Sequence, residues 1–212
     1  MEEKISSNGN LFRTDEEKEK IITEAAKIYG EYLTALGFDW KSDPNMQETP
    51  RRVAKMHVRE TFKGCYDAEP KITTFENVNS YNGIVFQGNI DVKSVCSHHH
   101  MPFLGKAHVA YIPGEDGGKI IGLSKLNRIV EWFARRPQVQ ENLTMQVHDY
   151  INKLIPDNQG VAVVIEAMHT CVSVRGVQHD SKMKTSMLSG GFKQNAPTRL
   201  EFYEFIRNLK RD

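Results

Sequence analysis

The stretch Val95-Cys96-Ser97-His98-His99-His100-Met101-Pro102 decides how the rest of the chain is read. One cysteine and three histidines fall within five residues. Two residues separate Cys96 from His99, a spacing at which a tight loop delivers two ligands to one metal ion. Strand parity would put Cys96 and His98 on one face instead. The two-residue gap favours a loop, with His99 as the ligand. On the N-terminal side, Ile84-Val85-Phe86, Ile90, Val92 and Val95 read as extended chain. On the other side, Lys106 to Ile112 reads as a second strand ending at Pro113-Gly114, with Asp116-Gly117-Gly118 as a turn. The two strands flank the loop as a hairpin.

Before the hairpin the pattern is helical. Residues 1–13 are polar and are expected to form a flexible tail. Thr14 and Glu17 form a capping box, followed by Ile22, Ala25, Ala26, Tyr29, Tyr32, Leu33 and Leu36 at helical spacing and Gly37 as C-cap. A second helix is expected from Thr49 as N-cap and Pro50 to about Phe62, stopping at Gly64. Residues 14–64 thus form an N-terminal helical region, and 65–212 the remaining functional unit.

After the hairpin come two more helices. Ser124 is the expected cap of the first, with Leu126, Ile129, Val130 and Phe133 on its apolar face. Arg136-Pro137 is expected to start the second, with Val139, Leu143, Val147, Tyr150, Ile151 and Leu154 as its stripe and Pro156 as its end. Val161 to Val174 then reads as a third strand whose odd positions, Val163, Ile165, Ala167, His169 and Cys171, share a face. A fourth strand is expected within 181–191, and Thr198 caps a final helix. Helices and an antiparallel sheet together make an α+β protein.

Composition limits the function. A net charge of +1 provides no global field to recruit nucleic acid, so an anion site has to be local. No apolar run approaches the roughly 18 residues of a membrane span. The start Met1-Glu2-Glu3-Lys4-Ile5-Ser6 lacks the apolar segment of a signal peptide, which points to the cytoplasm. Three cysteines, Cys65, Cys96 and Cys171, argue against a disulfide framework and leave reduced thiols as candidate ligands.

Cys96, His99 and Cys171 form a Cys₂His set suited to Zn²⁺. Three protein ligands leave one position for water, as in catalytic zinc sites, and zinc brings that water to a pKa of about 7. The alternative is a closed structural site with His98, His100 or Cys65 as fourth ligand. His98 adjoins a ligand and His169 shares its strand face with Cys171, so both are candidates for general acid or base.

An anion site is suggested by Ser124-Lys125-x-x-Arg128 at a helix start, by Arg175, and by Arg52 and Lys55 in the earlier helix. Convergence of such groups would suit a triphosphate, although each alone also reads as solvated surface. Glu141 could accept two hydrogen bonds from a guanine edge.

Several longer stretches carry a resemblance. They are Glu48-Thr49-Pro50-Arg51-Arg52-Val53-Ala54-Lys55-Met56, Cys96-Ser97-His98-His99, Gly105-Lys106-Ala107-His108-Val109-Ala110-Tyr111-Ile112-Pro113, Gly122-Leu123-Ser124-Lys125-Leu126-Asn127-Arg128-Ile129-Val130, Arg136-Pro137-Gln138-Val139-Gln140-Glu141, and His169-Thr170-Cys171 with Arg175-Gly176-Val177. In this order, from about residue 20 to about 207, they resemble the GTP cyclohydrolase I family.

The resemblance implies a tunnelling fold: a four-stranded antiparallel sheet with two helices between strands two and three, preceded by helices. It implies hydrolysis of GTP to 7,8-dihydroneopterin triphosphate and formate, at the head of folate- or pterin-type biosynthesis. By the same resemblance Cys96, His99 and Cys171 hold zinc, and zinc-bound water attacks guanine C8. His98 protonates the imidazole-ring nitrogen and His169 moves protons during ring opening. Glu141 reads guanine with Gln140 beside it. Ser124, Lys125, Arg128, Arg175 and Arg52 contact the triphosphate. The assembly implied is a toroidal homodecamer of two pentamers with sites shared between subunits. The sequence departs from the family at Ser97, usually a glutamate, and at His100, often apolar. Two other readings are a related tunnelling-fold enzyme acting on another purine or pterin, and a zinc-stabilised binding module with four protein ligands and no turnover.

Overall fold

The computed structural model describes residues 4–115 and 118–209, so the turn expected at Asp116-Gly117 lies outside the described residues. The chain divides into two compact units, one through Ala68 and one from Glu69 onward.

In the first unit, α1 (Asp15–Ala35) starts with the expected capping box: Thr14 Oγ1 accepts from the Glu17 N–H, and the Glu17 carboxylate accepts from the Thr14 N–H. At its far end Gly37 adopts φ +87°, and the N–H groups of Gly37 and Phe38 donate to the carbonyls of Thr34 and Leu33. This reversal satisfies carbonyls the helix would otherwise leave open. The next helix, α2 (Thr49–Met56), departs from expectation, because Glu48 takes the N-cap position and no side chain caps it. Pro50 sits second in the first turn with its φ already set. The helical path also runs past Gly64, through a π-helical turn (His57–Thr61) and α3 (Lys63–Tyr66). Ile22, Ala54 and Val58 form this unit's small core. Within the segment expected to be loose, the N–H groups of Leu11 and Arg13 donate to the carbonyls of Cys65 and Tyr66.

The second unit contains β1 (Thr74–Glu76), β2 (Val85–Cys96), β3 (Pro102–Ile112), β4 (Lys119–Ile121), α4 (Leu123–Ala134), β5 (Pro137–Gln138), α5 (Gln140–Leu154), β6 (Gly160–His169), α6 (Thr170–Ser173), β7 (Lys182–Leu188), α7 (Gly190–Gln194) and α8 (Ala196–Asn208). Its main sheet has the order β5-β2-β3-β6-β7. The pairs β2–β3, β3–β6 and β6–β7 are antiparallel, with α4 and α5 inserted between the second and third of these four strands. The two-residue β5 joins β2 in parallel, and β1 pairs with β4 in a separate small sheet.

Period-2 alternation sorts the side chains between two cores. Phe103, Ala107, Val109 and Tyr111 of β3 and Val161, Val163, Ile165 and Ala167 of β6 face one core with Leu126, Ile129, Val130 and Phe133 of α4 and Leu143, Val147 and Ile151 of α5. Ala110, Ala162 and Val164 face the other way, onto Phe192, Phe202 and Ile206. Phe202 is fully buried and meets Phe192 edge-on at 5.5 Å and Phe86 at 6.1 Å. Phe202→Ala is therefore expected to destabilise the fold by about 3–5 kcal/mol. A lowered urea midpoint at fixed protein concentration would show this, and an unchanged midpoint would contradict it.

Other expectations shift. Ser124 lies inside the first turn of α4, whose N-cap is Gly122 without a side-chain bond. Pro137 opens a strand rather than a helix, and α5 begins at Gln140. Asn195, not Thr198, caps α8 by accepting from the Thr198 N–H. The third long strand ends at His169, so Cys171 sits on the helical turn α6, closed by the Val174 N–H donating to the Thr170 carbonyl. Shared strand parity therefore does not explain the convergence of His169 and Cys171.

Candidate metal centre and active site

Loop 97–101 forms because the hairpin closes on itself. The Cys96 N–H donates to the Met101 carbonyl, and the His100 N–H donates back to the Cys96 carbonyl, both at 2.9 Å. His100 makes the reversal at φ 52°, a left-handed conformation that histidine tolerates better than β-branched residues do. A third bond, from the Ser97 N–H to the Gln138 carbonyl at 3.1 Å, ties the loop to β5. Gln140 and Glu141 follow directly on α5, so this tie sets their segment beside the loop.

Cys171 comes from β6 and α6. Phe103 pairs with His169 in the β3–β6 ladder, and the Thr170 hydroxyl donates to the Pro102 carbonyl at 2.6 Å. Both ligand-bearing turns are thereby rooted at the same edge of β3. The ligand atoms of Cys96, His99 and Cys171 lie within 4.8 Å of one another, a group that could hold a metal ion. Neither His98, His100 nor Cys65 belongs to that group. Cys96 is buried and His99 exposed, which leaves one side of the group open. Burial, and then the neighbouring Cys96 sulfur, push the Cys171 thiol above its ordinary pKa. A cation between the sulfurs reverses that balance by favouring thiolate. Two thiolates and an imidazole form a soft-to-borderline donor set that fits zinc chemistry.

The candidate proton carriers flank this group. His98 is exposed, with Nδ1 3.7 Å from Cys96 Sγ. His169 stacks on Phe103, with ring centroids 4.5 Å apart and planes 9° from parallel. Burial holds the His169 imidazole below its ordinary pKa, and the Glu141 carboxylate pulls the other way. The net effect favours a neutral ring that can accept a proton. A cavity of about 400 Å³ is lined by Cys96, His98, Gln140, Glu141, His169 and Cys171, among others.

The expected substrate contacts are distributed unevenly. Glu141 is exposed in the first turn of α5. Gln140 is fully buried, and its carboxamide is engaged inside the chain. Arg175 is exposed, and its Nη1 donates to His99 Nε2 at 2.9 Å. Ser124, Lys125 and Arg128 occupy the first turns of α4 and are not among the residues lining the cavity. Arg52 is exposed on α2 of the first unit. Sequence reasoning missed Phe103, which stacks on His169, Thr170, which ties the α6 turn to the Pro102 carbonyl, and Thr185, whose hydroxyl lies 3.0 Å from the Gln140 amide nitrogen. None of the three carries a chemical signature, and the β3–β6 and β6–β7 registers bring Phe103 and Thr185 to the site.

Fold and site together define a tunnelling-fold α+β protein with a Cys₂His group that could bind a metal and two histidines beside it. The family model described as GTP cyclohydrolase I matches residues 25–207. The chain is 46% identical over 197 residues to GTP cyclohydrolase 1 of Flavobacterium johnsoniae, covering 92% of this chain and 84% of that one. It is 46% identical over 200 residues to GTP cyclohydrolase 1 of Vibrio vulnificus (93% and 88% covered) and 46% identical over 209 to that of Aliivibrio fischeri (98% and 91%). This chain belongs to the GTP cyclohydrolase I family.

Proposed function

We propose that this protein converts GTP and water into 7,8-dihydroneopterin triphosphate and formate, a first step of folate- or pterin-type biosynthesis. The observation that carries this reading is the convergence of Cys96, His99 and Cys171 within 4.8 Å, on a cavity that also exposes His98, Glu141 and His169. In this reading Cys96, His99 and Cys171 hold Zn²⁺. When bound there, zinc brings water to a pKa of about 7 and so supplies a nucleophile for guanine C8 at neutral pH.

The chain's own residues provide the remainder. Glu141 accepts from guanine N1–H and the exocyclic amine, which fixes the base by two charge-assisted bonds. His98, exposed beside Cys96, protonates the imidazole-ring nitrogen as its bond to C8 breaks. His169, kept neutral by burial, accepts and returns a proton during ring opening. Ser124, Lys125, Arg128, Arg175 and Arg52 bind the triphosphate. Ser124, Lys125 and Arg128 do not line the cavity of their own chain, which fits a site shared between subunits of a toroidal homodecamer of two pentamers. We assign the chemistry to region 65–212. No helix among the described residues is long and apolar enough to cross a membrane, and we place the enzyme in the cytoplasm.

The test is direct. Zinc-loaded protein incubated with GTP should release formate together with a product that becomes fluorescent on oxidation to the pterin. Neither product forming at full zinc occupancy rejects the reading and favours a binding module. Turnover of another purine or pterin but not GTP favours a related tunnelling-fold enzyme.

A further inference from the structure

Gln140 is expected from the family resemblance beside the guanine-reading glutamate, yet its side chain is fully buried. Its amide nitrogen lies 3.0 Å from the Ile165 carbonyl, 3.2 Å from the Met183 carbonyl and 3.0 Å from Thr185 Oγ1. Its Oε1 lies 3.0 Å from His169 Nε2. The orientation of the amide is determined by these neighbours. Turned over, its oxygen would face two carbonyl oxygens that can only accept, and both would lose a donor. Thr144 adds to the constraint: its hydroxyl donates to the Gln140 carbonyl at 2.9 Å and lies 2.6 Å from Thr185 Oγ1.

A carboxamide oxygen can only accept, so the facing His169 nitrogen has to carry a hydrogen. Phe103, stacked on the ring, restricts its rotation. Among the described residues nothing hydrogen-bonds to His169 Nδ1. We propose that Gln140 is a positioning residue, which holds His169 with Nε2 permanently protonated and leaves Nδ1 as the nitrogen that exchanges protons with the substrate. Which ring nitrogen is available is commonly set by the partner of the other. The α5–β6–β7 network thus selects the atom that does the chemistry, and Gln140 acts through His169 rather than on the purine. This rests on the reading of His169 as a proton carrier.

The tautomer can be measured without turnover. Magic-angle-spinning NMR of zinc-loaded protein labelled with ¹⁵N-histidine, with His169 assigned by difference from His169→Ala, should show a protonated Nε2 and an unprotonated Nδ1 in the neutral ring. The opposite tautomer overturns the proposal whether or not Gln140→Met folds. Gln140→Met keeps length and removes the acceptor. It should retain zinc and a near-normal KM, lower kcat by about 10- to 100-fold, as loss of an orienting partner does at metal-bound histidines, and give a mixture of His169 tautomers. A raised KM with kcat and the His169 tautomer unchanged would return Gln140 to a substrate-reading role and overturn the proposal. Full activity of His169→Ala alongside the expected tautomer would instead reject the proton-carrier reading.

Discussion

Cys171→Ala is expected to yield a folded protein that no longer retains zinc. Cys171 lies half-buried on the four-residue turn α6, outside the fully packed core, so loss of its sulfur opens little cavity. The turn keeps its Val174–Thr170 backbone bond and the Thr170–Pro102 tie, neither of which involves the thiol. What disappears is one of three ligands, which leaves Cys96 and His99 from a single loop. Two ligands do not make the three- or four-coordinate protein sites in which zinc is held. Metal analysis after dialysis should fall from about one ion per chain to near none, with turnover at background and the urea transition close to that of the metal-free parent. Stoichiometric zinc in Cys171→Ala would overturn the ligand assignment.

His169→Ala should do the converse. Its ring donates no ligand atom to the metal group, and its contacts are with Phe103 and Gln140. The variant is expected to bind zinc like the parent while kcat falls by about 10²- to 10⁴-fold, the range for loss of a general acid–base group. The pair is informative because the two residues are near neighbours in sequence. Zinc loss from both would mean that His169 supports the metal, and unaltered turnover in His169→Ala would remove it from the proton path.

The hairpin around Cys96 was legible because its signals are local. Extended apolar runs flank a loop with two-residue ligand spacing, and the ladder from Val85 to Pro102 follows. The ends of α1 were equally local, since the capping box and Gly37 act on the nearest backbone groups. Failures arose where a tertiary partner decides. Val172 and Val174 extend the β propensity of the third strand, yet the chain turns after His169, where Thr170 finds the Pro102 carbonyl. Pro137 looked like a helix start, but β2 recruits it as a parallel strand. The sequence marks Gln140 only by its place beside Glu141 in a family motif. Its burial depends on the carbonyls of Ile165 and Met183, and no pattern around residue 140 encodes them. The candidate anion-binding residues were recognisable by type, but Ser124, Lys125 and Arg128 stay outside the cavity of their own chain, and sequence spacing has no means of expressing that.

The Thr170–Pro102 bond has a consequence for tolerance to change. Cys96 and Cys171 are far apart in sequence, and two helices intervene. If the relative position of the two sulfurs were set along the chain, every insertion or helix tilt between them would add to the error. They are instead positioned by short arms from neighbouring points, the hairpin tip at Pro102 and the turn beginning at Thr170. Drift in the intervening chain is thus decoupled from their separation. Length variation in the segment joining β3 to β4 should leave the ligand spacing unaltered, whereas a single residue inserted between Phe103 and Gly105 or between Ala167 and His169 would shift the register on which both arms depend.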